Sequence, residues 1–476
     1  MKSLCNKAFP RQIFRAYDIR GKVIFLNAHV VNAIANGLAK QFIEYGQDTL
    51  VLGYDARLTS PSYAQILKTV FQANKIQVIE IGCCSTPQMY FAAREVGGNG
   101  IMVTASHNPK EDNGIKWILN AEPPTPEMIQ AVGDFAELEF YKNNQIEIAE
   151  DVLHQIKSEF CLSYQHALLR DVQLHRPLKV VLDGMHGSAG RCADFVLQKM
   201  GCEVISIRCQ HDGNFPDHSP DPSLEKHLKQ LQEKIVLHQA DLGIALDGDG
   251  DRVVILDEHA QIISPDRLLS FFAQLCLEAH PQHEIVFDVK CSTMVRNTIE
   301  KLGGQATMIR TGSSFMRKYI SETRGNAVFG GEYAGHYVFN DGRGYGYDDG
   351  LYAALRLMEY LSQQKNKTLS QIFEQYPARY GTEDTYIHTH GVDPKKVLDL
   401  VAQRSDQFGA QVQNIDGVRL DFENSFGIMR ASNTGDFFTV RFDADCEIGL
   451  GEIRQKFISM LGDEYPKIAQ DISNAK

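Results

Sequence analysis

The sequence lacks several features that would place it in a familiar class. It has no apolar run of the roughly 20 residues that a membrane-spanning helix needs, and Met1 to Pro10 contains no apolar run of signal-peptide length. Its 10 cysteines include no Cys-x-x-Cys pair, the spacing typical of zinc sites and thioredoxin-like redox pairs. We therefore expect a cytoplasmic protein whose cysteines are reduced.

Basic residues are also fewer than acidic residues. The chain carries 48 Lys and Arg against 60 Asp and Glu, which gives a formal net charge of -12. A chain with this balance has no long-range positive field that would attract polyanions. The composition therefore predicts that nucleic acid and anionic membranes are not partners.

The nucleotide-binding fingerprints Gly-x-Gly-x-x-Gly and the Walker phosphate loop are absent as well. The chain has 476 residues, 43% hydrophobic and 23% charged, which is ordinary for a soluble globular protein. At about 150 residues per domain, this length indicates three or four domains.

Short β-branched apolar runs that end in Gly, Asp or Ser turns recur along the chain, each followed by a helix-like segment. This order is typical of an α/β fold with parallel strands buried on both faces. Ligands of such sheets bind at the carboxyl ends of the strands, so we expect the functional residues there. The predicted strands are Leu50–Gly53, Ile76–Ile81, Ile101–Thr104, Val180–Asp183, Val204–Ile207, Leu242–Leu246, Ile285–Phe287 and Ala327–Phe329.

Helix signals and turns suggest where the domains divide. Thr125 and Pro126 are predicted to start a helix as N-cap and first helical residue. After Thr382 the pattern changes to strands with a helix opened by Asp393 and a closing helix that ends before Gly462. We predict domains at residues 1–154, 155–258, 259–372 and 373–476.

The strongest motif is Thr104-Ala-Ser-His-Asn-Pro109, which follows a predicted strand. A serine hydroxyl is a weak nucleophile unless a neighbouring base or cation activates it. His107 and Lys116 are near enough in sequence to do so. The string is also typical of an ordinary polar turn, so its spacing alone does not assign a chemistry.

A second motif, Asp247-Gly-Asp-Gly-Asp-Arg252, also follows a predicted strand. Three carboxylates at every second position can converge on one hard cation, because the intervening glycines allow a sharp turn. A calcium EF-hand loop is excluded because Arg252 stands where that loop requires glycine and both flanks are predicted strands. The motif predicts a magnesium site formed by Asp247, Asp249 and Asp251.

Weaker polar clusters occur further along the chain. Gly330-Gly-Glu-Tyr-Ala-Gly-His336 offers an acid and a histidine that could accept hydrogen bonds from sugar hydroxyls. Arg430-Ala-Ser-Asn-Thr434, predicted to lie on a turn, offers an arginine fork, hydroxyls and an amide that suit a phosphate dianion. Lys290 and the run 311–313 follow strands in the same way. Each cluster alone is as typical of a structural turn as of a site.

Taken together, the motifs resemble the α-D-phosphohexomutase superfamily, most closely its bacterial phosphomannomutase/phosphoglucomutase branch. The resemblance spans nearly the whole chain. It implies four domains around a central cleft, namely three related α/β mixed-sheet domains and a smaller C-terminal α+β domain. The motifs that carry it are, in order, Arg15-Ala-Tyr-Asp-Ile-Arg-Gly21, Thr104-Ala-Ser-His-Asn-Pro109, Asp247-Gly-Asp-Gly-Asp-Arg252, Gly331-Glu-Tyr-Ala-Gly-His336 and Arg430-Ala-Ser-Asn-Thr434.

The resemblance also implies roles for individual residues. Ser106 is implied as the phosphoryl carrier, phosphorylated in the active enzyme, and as a fourth magnesium ligand beside the three aspartates. The other implied catalytic residues are Arg20, His107, Lys116 and Arg252. The residues implied to contact the sugar or the non-reacting phosphate are Tyr17, Lys290, Thr311, Gly312, Glu332, His336, Arg430, Ser432, Asn433 and Thr434.

The implied activity is the reversible conversion of hexose 6-phosphate and hexose 1-phosphate, with mannose and/or glucose as the sugar. Phosphoserine donates to the free hydroxyl, and the hexose 1,6-bisphosphate, also an activator, returns its other phosphate to Ser106. One Mg²⁺ per chain assists. The general base is either His107 or Lys116, and the pKa of Lys116 would have to be lowered for that role. We expect a monomer that acts on small hexose phosphates.

The sequence departs from this branch at the implied sugar site. Tyr333 and Ala334 stand where the branch usually carries Met and Ser, and Ser313 stands where it often has histidine. These changes spare the phosphoryl-transfer motifs but leave the preferred hexose open. Phosphoglucosamine mutase is therefore the main alternative, followed by a magnesium phosphatase and a non-catalytic sugar-phosphate binder.

Overall fold

The computed structural model describes residues 8–142, 159–432 and 435–474. The chain divides into two compact units. The first comprises the described residues up to Ile263 together with Tyr347–Ser370, and the second comprises Ser264–Gly346 and the described residues from Gln371 onward. Among the described residues, no helix combines the length and the apolar character needed to cross a membrane.

The first sheet is mixed and belongs to the first unit. Its strand order is β3-β2-β4-β5-β1, in which β4, β2 and β3 are parallel and β5 and β1 are antiparallel to their neighbours. Helices α1, α2 and α4 pack around it over a continuous apolar core. The elements are β1 Ile19–Lys22, α1 Ala28–Glu44, β2 Thr49–Tyr54, α2 Ser60–Ala73, β3 Gln77–Cys83, α3 Thr86–Glu95, β4 Gly100–Val103, β5 Asp112–Ile118 and α4 Pro126–Tyr141.

The second sheet repeats this arrangement within the same unit. Its order is β7-β6-β8-β9-β10, again with three parallel strands followed by antiparallel ones. Strand β8 is buried throughout, which explains its continuous apolar sequence. The elements are α5 Glu159–Asp171, β6 Lys179–Asp183, α6 Gly190–Lys199, β7 Glu203–Ile207, α7 Lys229–His238, β8 Leu242–Leu246, β9 Val253–Leu256 and β10 Ile262–Ile263.

The third sheet lies in the second unit and has the order β12-β11-β13-β14, with only β14 antiparallel. Its central strands are buried throughout. The elements up to the next domain are α8 Pro265–Ala279, β11 Glu284–Asp288, α9 Thr293–Lys301, β12 Gln305–Ile309, α10 Ser313–Glu322, β13 Ala327–Gly331, β14 Tyr337–Phe339, α11 Gly350–Gln363 and α12 Leu369–Phe373.

The last part of the chain forms an antiparallel sheet of order β15-β20-β19-β18-β17, to which β16 adds by pairing with β20. Helices α13 and α14 pack on it through Val397, Val401, Ile453 and Phe457. The elements are β15 Tyr380–Gly381, β16 Thr385–His388, α13 Pro394–Arg404, β17 Gln411–Gln413, β18 Val418–Asp421, β19 Ser425–Ala431, β20 Phe437–Ala444, α14 Glu447–Leu461 and α15 Pro466–Ser473.

The predicted fold class is confirmed: three α/β domains with mixed sheets are followed by a sheet-rich α+β domain. The predicted caps are confirmed as well. Thr125 Oγ1 accepts from the Met128 N–H, and the Asp393 side chain accepts from the Lys395 N–H. The expectation that the chain closes with the helix before Gly462 was wrong, because α15 follows it and packs on the same core.

The predicted domain boundaries stay a prediction. The first boundary, at 154/155, lies outside the described residues. Strand β10 pairs with β9, so the second sheet runs past the predicted boundary at 258/259. Helix α11 lies within the predicted third domain but in the first unit.

Candidate active site

Ser106 lies in a buried loop that follows β4. Its φ of +51° is in the left-handed region, which a residue with a side chain adopts only when its surroundings hold it there. The Ser106 N–H donates to Thr104 Oγ1 at 2.8 Å. The residue is only 2% exposed, so the loop presents its hydroxyl inside the protein.

The Ser106 hydroxyl meets the acidic loop that follows β8. Ser106 Oγ donates to Asp247 Oδ2 at 2.6 Å and lies 3.2 Å from His107 Nδ1. A Cβ at Gly248 would come within 2.4 Å of Ser106 O, so only glycine lets the two loops approach this closely. The structure thus brings together two predicted motifs that lie 141 positions apart.

The three aspartates of the acidic loop are buried side by side. One oxygen from each of Asp247, Asp249 and Asp251 lies within 4.8 Å of the others. Burial raises the pKa of Asp247 well above its usual range, and the neighbouring carboxylates raise it further. Within the described residues, Asp249 Oδ1 is buried without a hydrogen-bond partner. An all-oxygen donor set with an open carboxylate atom fits a hard divalent cation.

Lys116, on β5, reaches the same carboxylates. Its Nζ donates to Asp249 Oδ2 and to Asp251 Oδ2, each at 2.8 Å. Burial alone would lower the pKa of Lys116, but Asp249 and Asp251 outweigh burial and hold it well above its ordinary value. Lys116 is therefore a cation in this arrangement, whereas a general base requires the opposite shift.

Arg20, on β1, contacts the loop at residues 104–109 that contains Ser106, which we call the carrier loop. Its Nη2 pairs with Asp18 Oδ2 at 2.6 Å, and its Nη1 donates to Ala105 O at 3.4 Å. Arg252 contacts the acidic loop through its backbone, since its N–H donates to Asp247 Oδ1 at 3.2 Å. Tyr17 is 42% exposed.

In the second unit, Glu332 and His336 form a buried pair directly after β13. His336 Nδ1 lies 2.8 Å from Glu332 Oε2, and the Gly312 N–H donates to Glu332 Oε1 at 2.5 Å. Burial raises the pKa of Glu332, but these partners lower it by more, so the carboxylate stays ionised.

Lys290 and Thr311 lie at the ends of neighbouring strands of the same sheet. Lys290 Nζ donates to Asp384 Oδ2 at 2.9 Å, and Thr311 Oγ1 donates to Asp288 Oδ2 at 2.9 Å. Both side chains are thus anchored by carboxylates, Asp384 and Asp288, that lie outside the predicted site residues.

Arg430 was predicted to lie on a turn, but it lies near the end of strand β19. The strand continues to Ala431, which pairs with Phe438 of β20. Arg430 Nη2 pairs with Asp416 Oδ2 at 2.7 Å, and the same oxygen accepts from the Thr311 N–H at 3.2 Å. The structure therefore brings Arg430 to the Thr311 loop.

The remaining residues of this cluster are only partly described. Ser432 Oγ accepts from the Gly435 N–H at 3.0 Å. Asn433 and Thr434 lie outside the described residues.

Three family profiles match consecutive parts of the chain. They are described as phosphoglucomutase/phosphomannomutase, alpha/beta/alpha domains I, II and III, and they match residues 11–142, 162–260 and 264–380. The chain belongs to the phosphoglucomutase/phosphomannomutase family.

Relatives of this family match the chain over almost its full length. The phosphomannomutase/phosphoglucomutase of Pseudomonas putida is 37% identical over 97% of this chain and 98% of its own. The phosphoglucomutase of Neisseria meningitidis is 35% identical over 95% of this chain and 97% of its own. The crystal structure of a family protein from Burkholderia thailandensis matches with a TM-score of 0.85 and 31% identity, covering 96% of this chain and 98% of that one.

Tyr333, a departure from the branch of this family, packs against a buried arginine. The guanidinium carbon of Arg441 lies 3.6 Å from the centre of the Tyr333 ring, and Arg441 is 2% exposed. The Tyr333 N–H donates to Asp288 Oδ1 at 3.0 Å. Ser313, a further departure, is the first residue of α10.

Sequence reasoning missed Thr86, which contacts the metal-site candidate of this family member. Thr86 Oγ1 donates to Asp249 Oδ2 at 2.6 Å, and its N–H donates to Asp249 O at 2.8 Å. A local signal was present, because Ser85 and Gln88 form a capping box that starts α3 at the end of a predicted strand. That signal identifies the helix start, but not the contact with Asp249.

Proposed function

We propose that this chain converts hexose 6-phosphate and hexose 1-phosphate into one another, with mannose and/or glucose as the sugar. The observation that carries the proposal is the Ser106 hydroxyl, which a strained loop holds 2.6 Å from Asp247 among buried carboxylates. The names of the similar proteins and of the matching family support the same activity.

The reaction proceeds through phosphorylated Ser106. The bond between phosphorus and Ser106 Oγ breaks while a free sugar hydroxyl bonds to phosphorus. The hydroxyl proton passes to a base, and Ser106 Oγ takes up a proton. The resulting hexose 1,6-bisphosphate then turns over and gives its other phosphoryl group to Ser106 Oγ, which loses its proton, while the released sugar oxygen takes up a proton. The sugar leaves as the isomer, and the enzyme regains its phosphoserine.

Positioning and charge neutralisation are the main requirements of such a transfer. We propose that Asp247, Asp249, Asp251 and a phosphoserine oxygen hold one magnesium ion, which supplies charge neutralisation to the transferring phosphoryl group. Lys116 adds positive charge at these carboxylates, and we assign the same role to Arg20 and Arg252.

The two candidate bases are held differently. His107 Nδ1 lies 3.2 Å from Ser106 Oγ, within reach of a proton on the oxygen that exchanges phosphorus. Lys116 would first have to leave Asp249 and Asp251, which keep it protonated.

In the second unit we assign sugar-hydroxyl recognition to Glu332 and His336, and phosphate binding to Arg430 and Ser432. Their hydrogen-bonding groups suit these ligands. The proposed substrate-binding residues also include Tyr17, Lys290, Thr311, Gly312, Asn433 and Thr434. Four further expectations stay predictions. They are activation by hexose 1,6-bisphosphate, a monomeric state, a cytoplasmic location and the absence of nucleic-acid or membrane partners.

The deciding experiment is the intact mass of the purified protein before and after incubation with hexose 1,6-bisphosphate. We expect an increment of one phosphate that maps to the Ser106 peptide, together with isomerisation of mannose 1-phosphate or glucose 1-phosphate. Ser106→Ala should lose both, whereas Ser459→Ala, which removes an exposed hydroxyl on α14, should lose neither.

Other outcomes would change the assignment. A clear preference for glucosamine 1-phosphate in competition would favour phosphoglucosamine mutase, which none of the comparisons supports. Release of inorganic phosphate faster than isomerisation would favour a phosphatase.

A further inference from the structure

Arg57, in the loop after β2, is a buried arginine that none of the motifs includes. It is 2% exposed. Its Nη2 donates to Ser106 O at 2.8 Å and to Asn108 O at 2.7 Å. Its Nη1 donates to Pro109 O at 2.6 Å and to Asp112 O at 3.0 Å.

The remaining guanidinium donor of Arg57 is also used. Arg57 Nε donates to Asp55 Oδ2 at 3.0 Å. A guanidinium has five N–H groups, and these contacts account for all of them. Arg57 therefore has no donor left for a phosphate, and its hydrogen bonds act on the carrier loop instead.

Asp55 connects Arg57 to the other side of Ser106. Asp55 Oδ2 also accepts from Thr104 Oγ1 at 2.8 Å, and Thr104 Oγ1 in turn accepts from the Ser106 N–H at 2.8 Å. Asp55 Oδ1 accepts from the Arg57 N–H at 3.0 Å and from Ser60 Oγ at 2.6 Å. The N–H and the C=O of Ser106 are thus both fixed by groups bound to a single buried carboxylate.

Asp55, Arg57 and Thr104 together form what we call the clamp. It holds Ser106 in a backbone conformation that the residue would not keep by itself. A φ of +51° is disfavoured for serine and persists only where the surroundings over-determine the backbone. In this conformation Ser106 Oγ reaches Asp247. Relaxation to a negative φ would move the hydroxyl relative to the acidic loop.

We infer that the Asp55–Arg57 pair positions the phosphoryl carrier, Asp55 through Thr104 and Arg57 directly through the Ser106 carbonyl. Its role in catalysis rests on the proposed function, whereas its control of the Ser106 backbone does not. Misplacement of a reacting atom by about 1 Å can cost on the order of a hundredfold in rate. The partners described above for the proposed substrate-binding residues Glu332, His336 and Arg430 do not include Asp55, Arg57 or Thr104.

The kinetic test compares variants that break single links of the clamp. Thr104→Val removes the hydroxyl at nearly constant volume and should lower kcat at least tenfold, with KM within about twofold of the parent. Thr104→Ser keeps the hydroxyl and should restore most of kcat. Arg57→Lys, with three donors in place of five, should lower kcat about a hundredfold and slow phosphate uptake by Ser106 equally.

A matched control separates positioning from general loss of stability. Arg267 also donates to backbone carbonyls, those of Phe373 and Tyr376, but in the second unit. Arg267→Lys should lower the melting temperature without changing the rate of phosphate uptake by Ser106. Equal kinetic losses in Arg267→Lys and Arg57→Lys would overturn the inference.

A crystal structure of Thr104→Val tests the clamp even if the proposed function fails. We expect φ of Ser106 to leave the left-handed region and Ser106 Oγ to leave hydrogen-bond range of Asp247. An unchanged φ and an unchanged Oγ position would overturn the inference. Failure of the parent protein to take up phosphate would overturn the proposed function instead.

Discussion

At the residue scale, Asp249 shows how neighbours orient a metal-ligand candidate. Its Oδ2 accepts from Thr86 Oγ1 and from Lys116 Nζ, while Oδ1 is left without a hydrogen-bond partner in the described residues. Partners that hold one carboxylate oxygen fix the direction of the other. Residues in this position commonly change metal affinity by about 10–100-fold when they are removed.

We therefore expect Thr86→Val to weaken Mg²⁺ binding about tenfold, because the Asp249 carboxylate loses its shortest hydrogen bond. Isothermal titration of the metal-stripped full chain with MgCl₂ measures the effect. Thr86→Ser, which keeps the hydroxyl, serves as the control and should bind like the parent. An unchanged dissociation constant in Thr86→Val would contradict the orienting role.

At the scale of elements, helix starts in this chain were predictable where the cap is local. Thr125 and Asp393 were identified because a capping side chain followed by proline is a short-range pattern. Asp349 caps α11 in the same way, accepting from the Tyr352 N–H, but its other oxygen accepts from the distant Tyr164 hydroxyl. The cap is thus also a buried acid within the first unit.

The buried cap of α11 should make stability depend on pH. Burial raises the pKa of Asp349 to about 7, although hydrogen bonds from Tyr352 and Tyr164 act in the opposite direction. Between about pH 4 and pH 7 the folded chain then holds a proton that the unfolded chain lacks, so this group lowers the free energy of unfolding as pH rises.

Asp349→Asn keeps the acceptor for the cap and removes the titration. Relative to the parent, its free energy of unfolding in urea should increase between pH 5 and pH 8, by on the order of 2–4 kcal/mol. Asp393→Asn, at the exposed cap of α13, is the control for exchanging a capping aspartate for asparagine. A constant difference between Asp349→Asn and the parent would contradict the buried acid.

At the scale of the whole molecule, α11 shows that sequence order and packing order differ. It follows the third sheet in sequence, yet it belongs to the first unit, where its first residues lie against the acidic loop. The Gly350 N–H donates to Gly250 O at 3.2 Å, and a Cβ at Gly350 would come within 2.5 Å of Arg252 O. The acidic loop is thus supported by a helix about 100 residues further along the chain.

Gly350→Ala should therefore weaken Mg²⁺ binding, by about tenfold, because the added methyl group pushes backbone against backbone. Titration with MgCl₂ and the shift of melting temperature on adding Mg²⁺ measure this loss of affinity.

Gly451→Ala is the matched control, since Gly451 lies in α14 with nothing within 4 Å of an added Cβ. That change should leave Mg²⁺ binding unaltered and stabilise the helix by about 0.5–1 kcal/mol. Equal metal affinity in both variants would rule out support by α11.

The sequence by itself determined the fold class, the buried strands of the α/β sheets that read as apolar runs, such as β2, β4 and β8, and the ordered motifs around Ser106, Asp247 and Glu332. These follow from short-range patterns: buried strands read as apolar runs, and the polar turns after them mark the ends where ligands bind. Only the tertiary structure decided which loops meet. The contacts of Arg57 with the carrier loop, of Thr86 with Asp249 and of Gly350 with the acidic loop join residues far apart in the chain, so no local pattern encodes them.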